Sequence, residues 1–169
     1  MPISVEIQAE AAIAELRRIG IASAENALLS AVGDRFLAWI DDNFRRKGAE
    51  IPWAPLRPNT IVKRRKGSAE PLQDTGRMRQ SVSRKVIGSA VQIGYASRIA
   101  EFHHFGTSRY IIRPVRARML KFPTTSGIRY ARFVRHPGLP ARRLLPLEPT
   151  AERIAAEEVN AIFERAKKA

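Results

Sequence analysis

The chain has 169 residues, 44% of them hydrophobic, which suffices for one domain with a buried core. It has no cysteine, which excludes disulfides, thiolate metal sites and a cysteine nucleophile, and no apolar run approaches the roughly 18 residues that a membrane span needs. Thirty Lys and Arg against 16 Asp and Glu give a net charge of +14, which favours an acidic partner, either nucleic acid or protein, over the alternative of a basic face that is simply solvated.

The N-terminal region is predicted to be a strand followed by two helices. The alternation of ISVEI, residues 3–7, predicts the strand, and QAEAAIAELRRI, residues 8–19, predicts the first helix. The second helix is predicted from about Ser23 to Lys47, and Gly48 ends it. Apolar residues at spacings of three and four give this helix one buried face: Leu28, Val32, Phe36, Trp39, Ile40 and Phe44.

The middle of the chain is predicted to contain a loop and a hairpin. Residues 48–73 should be irregular because four prolines interrupt them, with a short helix capped by the Asn-Thr pair at 59–60. Two alternating runs follow, Val82–Val86 and Val91–Ile93, and the Gly-Ser pair between them suits a tight turn. We therefore expect an antiparallel hairpin here.

The second half is predicted to contain a short helix, further strands and a final helix. Residues 96–106 form the short helix, which Gly106 closes, and strands lie within residues 109–135. The stretch HPGLPARRLLPLEP should be irregular, because its prolines lack amide donors. From Thr150 the chain is helical again, with a buried stripe of Ala151, Ala155, Val159, Ile162, Phe163 and Ala166. Helices at both ends and strands between them predict an α+β fold with an antiparallel sheet.

Charge divides this single predicted domain into three segments. Residues 1–47 hold the N-terminal strand and helices, residues 48–148 the basic loop and sheet region, and residues 149–169 the C-terminal helix. Seven acids and three bases give residues 1–44 a net charge of −4, whereas five acids and 23 bases give residues 45–148 a net charge of +18. The expected acidic partner should therefore meet the middle of the chain.

Asp74 lies in an Asp-Thr-Gly triplet, the sequence that holds the catalytic carboxylate of aspartic proteases. One triplet per chain would need a homodimer to supply the second carboxylate. The neighbouring residues Gln73 and Arg77 argue against this, since a nearby cation keeps a carboxyl ionised. We interpret Asp74 or Thr75 as the N-cap of a short helix through residues 76–81, and a homodimeric protease remains the alternative.

No metal or cofactor site is predicted. His103 and His104 are adjacent and so point to different faces of a helix, and His136 is the only other histidine. No Gly-rich phosphate loop is present. The sequence therefore indicates neither a bound metal nor a nucleotide cofactor.

The stretch from residue 109 to residue 135 combines basic and aromatic residues. Its members are Arg109, Arg113, Arg116, Arg118, Lys121, Arg129, Arg132 and Arg135, with Tyr110, Phe122, Tyr130 and Phe133 between them. Basic strands with aromatic residues contact phosphates and stack on bases, so a nucleic-acid-binding protein is one hypothesis. If RYARFVR is one strand, both of its faces have arginine, which favours an interface formed by Arg129, Arg132 and Arg135.

Four stretches, in this order, resemble the virion-morphogenesis or tail-completion proteins of Mu-like and other tailed bacteriophages: PWAPLRPNTIVKRR, LQDTGRMRQSV, VQIGYASRIAEFHHFGT and HPGLPARRLLPLEP. Such proteins typically have Trp-x-Pro-Leu, Leu-x-x-Thr-Gly-x-Leu-x-x-Ser, Tyr-Ala followed by His-x-x-Gly, and Pro-Ala-Arg-x-x-Leu. The matching residues are Trp53, Pro55 and Leu56; Leu72, Thr75, Gly76 and Ser81, with Met78 replacing a leucine; Tyr95, Ala96, His103 and Gly106; and Pro140, Ala141, Arg142 and Leu145. The resemblance covers roughly residues 1–150, but residues 109–135 are longer than the family pattern leads us to expect.

The resemblance implies a structural virion protein, without catalysis or cofactor, that completes the tail or joins it to the head at the neck. It implies a ring, six-fold like the tail, and partners among tail tube, tail terminator and neck or connector proteins, with contact to DNA left open and no membrane. It also implies assembly in the host cytoplasm and a structural turn at Asp74.

Two further expectations follow from charge and packing. Basic segments would repel one another in a ring, so we expect the ring contacts either to use the more neutral helices or to pair the basic strands with acidic residues. These acidic residues belong to a partner protein or to the next subunit, where they are Glu6, Glu10, Glu15, Asp34, Asp41 and Asp42. We also expect Trp53 to fold back and pack on Phe36 or Ile40.

Overall fold

The predicted N-terminal strand and the predicted hairpin form one three-stranded antiparallel sheet. The computed structural model describes residues 2–18 and 25–166, and in it the strands are β1 (Ile3–Gln8), β2 (Val82–Ile87) and β3 (Ala90–Tyr95). Their order is β1-β3-β2, so the first strand of the chain pairs with the second strand of the hairpin and lies at the sheet edge. Gly88 in the hairpin turn has a φ of 58°, a conformation that glycine adopts without strain.

Three long helices provide most of the remaining core. They are α1 (Glu10–Arg18), α2 (Glu25–Arg45) and α6 (Glu148–Ala166). Helix α2 packs against β2, β3 and α6. The predicted buried face of α2 is confirmed, with Leu28, Val32, Phe36, Ile40 and Phe44 fully buried and Trp39 partly buried. Residues 19 and 23, where we predicted helix ends, and the side chain of Ala166 lie outside the described residues.

Short helical segments link these elements. They are α3 (Pro58–Ile61), a 3-10 turn at Arg65–Gly67, α4 (Arg77–Gln80) and α5 (Arg98–Phe105). The prediction that the Asn-Thr pair at 59–60 caps a helix is wrong, because both residues lie inside α3. Its N-cap is Arg57, without a side-chain cap bond, and Pro58 at the first position has no amide to satisfy.

Four short strands form two separate ribbons between α5 and α6. Strand β4 (Tyr110–Ile112) pairs with β7 (Val134–His136), and β5 (Leu120–Thr124) pairs with β6 (Gly127–Ala131). We call residues 109–136 the basic arm. The prediction that RYARFVR alternates as one strand is wrong, because residues 132 and 133 leave the extended ladder between β6 and β7. The chain there changes its pairing partner from β5 to β4.

The observed fold is α+β with antiparallel pairing throughout, as predicted. In the stretch HPGLPARRLLPLEP, His136 ends β7 and Leu139 forms a single bridge to Thr107, and the rest is irregular as predicted until Glu148, where α6 begins two residues earlier than predicted. Within the described ranges, the helices are either too short or too polar to cross a membrane.

Candidate functional site: a motif cluster and a basic arm

The backbone carbonyl of Arg143 links three distant parts of the chain. It accepts hydrogen bonds from Asn43 Nδ2 at 2.9 Å and from Trp53 Nε1 at 3.0 Å. Trp53 is 6% exposed, and its ring meets Phe44 edge-on with the centroids 5.2 Å apart. The predicted burial of Trp53 is therefore confirmed, although the ring that it packs against is Phe44. The hydrogen bond from the indole nitrogen to the Arg143 carbonyl determines where the ring lies, and at that position it packs against Phe44.

The guanidinium of Arg142 is buried and hydrogen-bonded to backbone carbonyls. Its Nε and Nη2 atoms donate to the Ala54 carbonyl at 3.0 and 2.7 Å, and Nη2 also lies 3.4 Å from the Pro55 carbonyl. The backbone amide of Arg142 donates to the His103 carbonyl at 2.7 Å. Burial, with a smaller contribution from the charge of Arg64, lowers the pKa of Arg142. Arg142 thus joins the first, third and fourth motifs, which are far apart in sequence.

The adjacent histidines have different surroundings. His104 is buried, its Nδ1 accepts the Leu144 amide at 3.1 Å, and burial together with the Arg143 charge lowers its pKa to about 4. Burial also lowers the pKa of His103, whose Nδ1 is buried without a hydrogen-bond partner. His136 lies in the basic arm, stacked on Tyr110. The part of the chain that the structure describes holds no cluster of His, Asp and Glu suited to a metal ion.

Asp74 lies on an exposed turn and does not cap α4. Its Oδ1 accepts the Arg65 amide at 3.0 Å and lies 3.9 Å from Arg64 Nε. The N-cap of α4 is Gly76, with a φ of 73°. The prediction that Asp74 caps α4 is therefore wrong, whereas Thr75 Oγ1, one position before the N-cap, accepts the Arg77 amide at 3.5 Å and so satisfies one donor of the first turn. The left-handed Gly76 turns the chain between Asp74 and α4, so the carboxylate bonds to the 3-10 turn instead.

The other motif residues have varied surroundings, and one of them, Ser81, joins a strand end to a loop. Ser81 Oγ donates to the Met78 carbonyl at 2.7 Å, and the Ser81 carbonyl accepts the Ala96 amide. Tyr95 is fully buried, its hydroxyl has no hydrogen-bond partner, and burial raises its pKa. Leu72 has a φ of 62°, which is uncommon for a side chain with a Cβ. Leu56 is half-buried, whereas Pro140 and Ala141 are exposed.

We call Trp53, Ala54, His103, Arg142 and Arg143, which hydrogen bonds join, the motif cluster. It closes the base of the basic arm. Gly106 has a φ of 76°, and a Cβ there would lie 2.7 Å from the Leu139 carbonyl oxygen. Thr107 pairs with Leu139 across the base, and a Cβ on Gly138 would overlap the Thr107 carbonyl. The third motif therefore ends at Thr107, just before the arm begins, and the fourth motif begins at His136, the last residue of the arm. The sequence did not reveal that the motifs close the base of the arm, because only the folded chain brings the two arm ends together.

The basic arm presents unpaired cations to solvent. No acid occurs between Glu101 and Glu148, and all eight basic residues that the sequence singled out in residues 109–135 are exposed, Arg129, Arg132 and Arg135 among them. Within the described residues, none of the eight forms an ion pair with a carboxylate, whereas Arg113 and Arg135 lie over Phe133 and Lys121 lies over Tyr130. The arm also exposes Ile111, Val115, Ile128 and Tyr130.

The arm touches the body of the protein at its tip. The Thr125 amide donates to Asn59 Oδ1 at 3.1 Å, and Lys63 lies over the Phe122 ring at 5.3 Å. Two-stranded ribbons are marginally stable alone in water, so a charged, partly apolar arm of this kind is typical of a surface completed by a partner.

Comparison with known proteins identifies a family. The model of the phage virion morphogenesis family aligns with residues 6–164, which includes all four motifs and the whole basic arm. No curated protein and no solved structure matches the chain.

Proposed function

The chain belongs to the phage virion morphogenesis family, and from that premise we propose that it completes the phage tail and joins the tail to the head at the neck, as a ring. Membership gives the protein a structural role in building a phage virion and associates it with the particle. The position at the tail and neck, the ring and the choice of partners are the steps that we add.

The observation behind this proposal is the basic arm held by the motif cluster. Its cations have no carboxylate partner among the described residues, and its exposed apolar side chains lie between them. The base of the arm is held by backbone contacts, and its positive charge is complementary to an acidic surface. Such an arm suits a protein that joins others in a fixed orientation. We propose further copies of the chain, in a six-fold ring, and acidic surfaces of tail tube, tail terminator or connector proteins as the partners.

The family points to a structural rather than a catalytic role. Asp74 agrees with that role, since its carboxylate holds the Arg65 amide on an exposed turn. We propose that the ring assembles in the host cytoplasm before tail and head join.

A phage that lacks this protein tests the proposal. A nonsense mutation in its gene, grown in a non-suppressing host, should give filled heads beside unattached or unfinished tails under the electron microscope. Supplying the wild-type protein in trans should restore complete particles, and gold-labelled antibody should mark the neck end of the tail. Complete, infectious particles without the protein would overturn the proposal.

Binding to nucleic acid is a second candidate function, favoured by the aromatic side chains among the arm cations. Such a protein should bind DNA without sequence preference, and its affinity should fall steeply with salt. Fluorescence anisotropy with labelled single-stranded and duplex DNA measures this. Loss of binding in a variant with Arg129, Arg132 and Arg135 changed to Gln would support the hypothesis, and absence of wild-type binding at about 50 mM salt would exclude it.

A further inference from the structure

A groove of about 900 Å³ follows the outer edge of β1. Strand β1 pairs with β3 on one side only, so its outer amides and carbonyls have no strand partner among the described strands. Phe105, Leu145, Pro146, Ala151 and Ala155 form the apolar walls. An unpaired edge beside an apolar channel has the geometry that accepts an added strand.

The groove is acidic. Glu6, Glu148 and Glu152 line it and are exposed, and no Lys or Arg is among its lining residues. None of these three carboxylates forms an ion pair within residues 2–18 and 25–166. The basic arm has the opposite composition, with eight unpaired cations and no acid. The two surfaces are therefore complementary in charge.

We propose that this groove receives strand β6 from the basic arm of a second copy, which adds to β1 as a fourth strand of the sheet. Strand β6 suits this role better than the other arm strands. Pro123 removes an amide donor from β5, and β4 and β7 have only three residues each. The five residues of β6 approach the length of β1.

The side chains of β6 alternate in the way that the groove requires. Ile128 and Tyr130 are each 59% exposed and lie on one face of β6, with Arg129 on the other. In β1, Val5 and Ile7 point toward the core while Glu6 points to the opposite face. Added in register, β6 therefore places Ile128 and Tyr130 on the apolar side of the groove and Arg129 beside Glu6.

Arm and groove are different surfaces of one chain, so each copy gives its arm to the next copy. A head-to-tail contact of this kind closes into a ring when the rotation between subunits allows it. This inference rests on the proposed function, because it supplies the contact that the proposed ring needs.

Charge reversal tests the contact in the purified full-length chain. Glu6→Arg and Arg129→Glu should each weaken self-association, measured by sedimentation velocity over a concentration series, by about tenfold or more. The double variant should recover most of the wild-type association. Glu101→Arg and Arg98→Glu change exposed residues outside groove and arm and are the matched controls. Equal association in the charge variants and the controls would overturn the proposal.

Cross-linking gives a second, independent test, because the chain has no cysteine of its own. The double variant Glu6→Cys/Arg129→Cys should form a ladder of disulfide-linked multimers under mild oxidation, on a non-reducing gel. Glu6→Cys/Arg98→Cys should not. No ladder at the highest soluble concentration would overturn the contact. If the cross-link fails but phage still needs the protein to complete the tail, the proposed contact is wrong and the proposed function stands. The failure of the contact can therefore be distinguished from the failure of the function.

Discussion

At the scale of single residues, buried polar side chains decide how the loops meet. Asn43, Trp53 and His104 bond to the backbone at Arg143 and Leu144, and the Arg142 side chain bonds to Ala54 and Pro55. Leaving a buried donor or acceptor without a partner costs more free energy of folding than an intact hydrogen bond contributes on balance, because the group has also lost its contact with water. These residues therefore stabilise the contacts between loops, and replacing them should lower the free energy of unfolding.

Trp53→Ala should lower the free energy of unfolding by about 3–5 kcal/mol, because it empties a filled site and leaves the Arg143 carbonyl with one donor fewer. Trp53→Phe keeps the ring but loses the Nε1 bond and should cost about 1–2 kcal/mol. Urea denaturation measures both. A Trp53→Phe variant as stable as the wild type would show that the hydrogen bond contributes nothing beyond packing.

Asp74→Asn should change stability little, since an amide oxygen can still accept the Arg65 amide, whereas Asp74→Ala loses that hydrogen bond and should cost about 1 kcal/mol. Thermal unfolding under matched conditions checks both variants. The same proteins serve for a peptide-cleavage assay at acid pH. Cleavage by the wild type that disappears in Asp74→Asn would contradict the structural role.

His104 should make stability depend on pH. Its pKa of about 4 in the folded protein lies below the ordinary value of 6.5, so the unfolded chain takes up the proton first as the pH falls. The contribution of neutral His104 is therefore complete above pH 6.5 and declines between pH 6.5 and 4, by at most about 1.4 kcal/mol per pH unit.

The pH prediction is checked by comparison with His104→Asn, which keeps an acceptor for the Leu144 amide but does not titrate. Denaturation midpoints at about pH 7, 5.5 and 4.5 should fall more for the wild type than for this variant. Parallel declines would assign the acid sensitivity to other groups, among them the carboxylates and His103.

At the scale of elements, the base of the arm depends on two glycines that face each other's backbone. Gly138 has a φ of 88° and Gly106 a φ of 76°, and both approach carbonyl oxygens of the opposite arm end. The hairpin turn at Gly88 and the loop at Gly67 also have positive φ values, but no atoms lie within 4 Å of an added Cβ. The arm base therefore combines a positive φ with crowding, as Gly48 at the end of α2 also does.

Gly138→Ala should therefore loosen the arm while leaving the body folded. Gly67→Ala has a comparable φ of 63° in open space and should cost only about 1 kcal/mol, so the difference between them measures the crowding. Hydrogen exchange should rise in β4 and β7 of the first variant and remain unchanged in β3. Wild-type protection in β4 and β7 would show that the base does not need glycine.

At the scale of the whole molecule, charge is separated between surfaces. The basic arm has no acid, whereas the residues that line the β1 groove include three exposed carboxylates and no Lys or Arg. Copies of a chain with net charge +14 repel one another on average, so association requires opposed local patches.

Salt should therefore weaken self-association, because it screens the attraction between arm and groove more than it screens buried contacts. Between about 50 and about 500 mM salt the association constant should fall by about tenfold. Sedimentation equilibrium measures this, with the Arg98→Glu variant as the charge control. Association that strengthens with salt would indicate an apolar contact instead.

Local sequence patterns alone determined most of the secondary structure. The apolar spacing of α2, the alternation of β2 and β3 and the Gly-Ser turn predict their elements because these depend on residues a few positions apart. The order of four motifs also determined the family, which the match over residues 6–164 confirms. The three arm arginines 129, 132 and 135 remain a predicted interface.

Only the tertiary structure decided which distant groups meet. Asp74 bonds to Arg65 rather than to α4, Trp53 packs on Phe44, and the strand predicted through RYARFVR divides between two ribbons. The edge position of β1 beside α6, and hence the acidic groove, also depends on how the layers pack. Periodicity records which face of a segment is apolar, but a partner far along the chain is selected by packing and by hydrogen bonds through space.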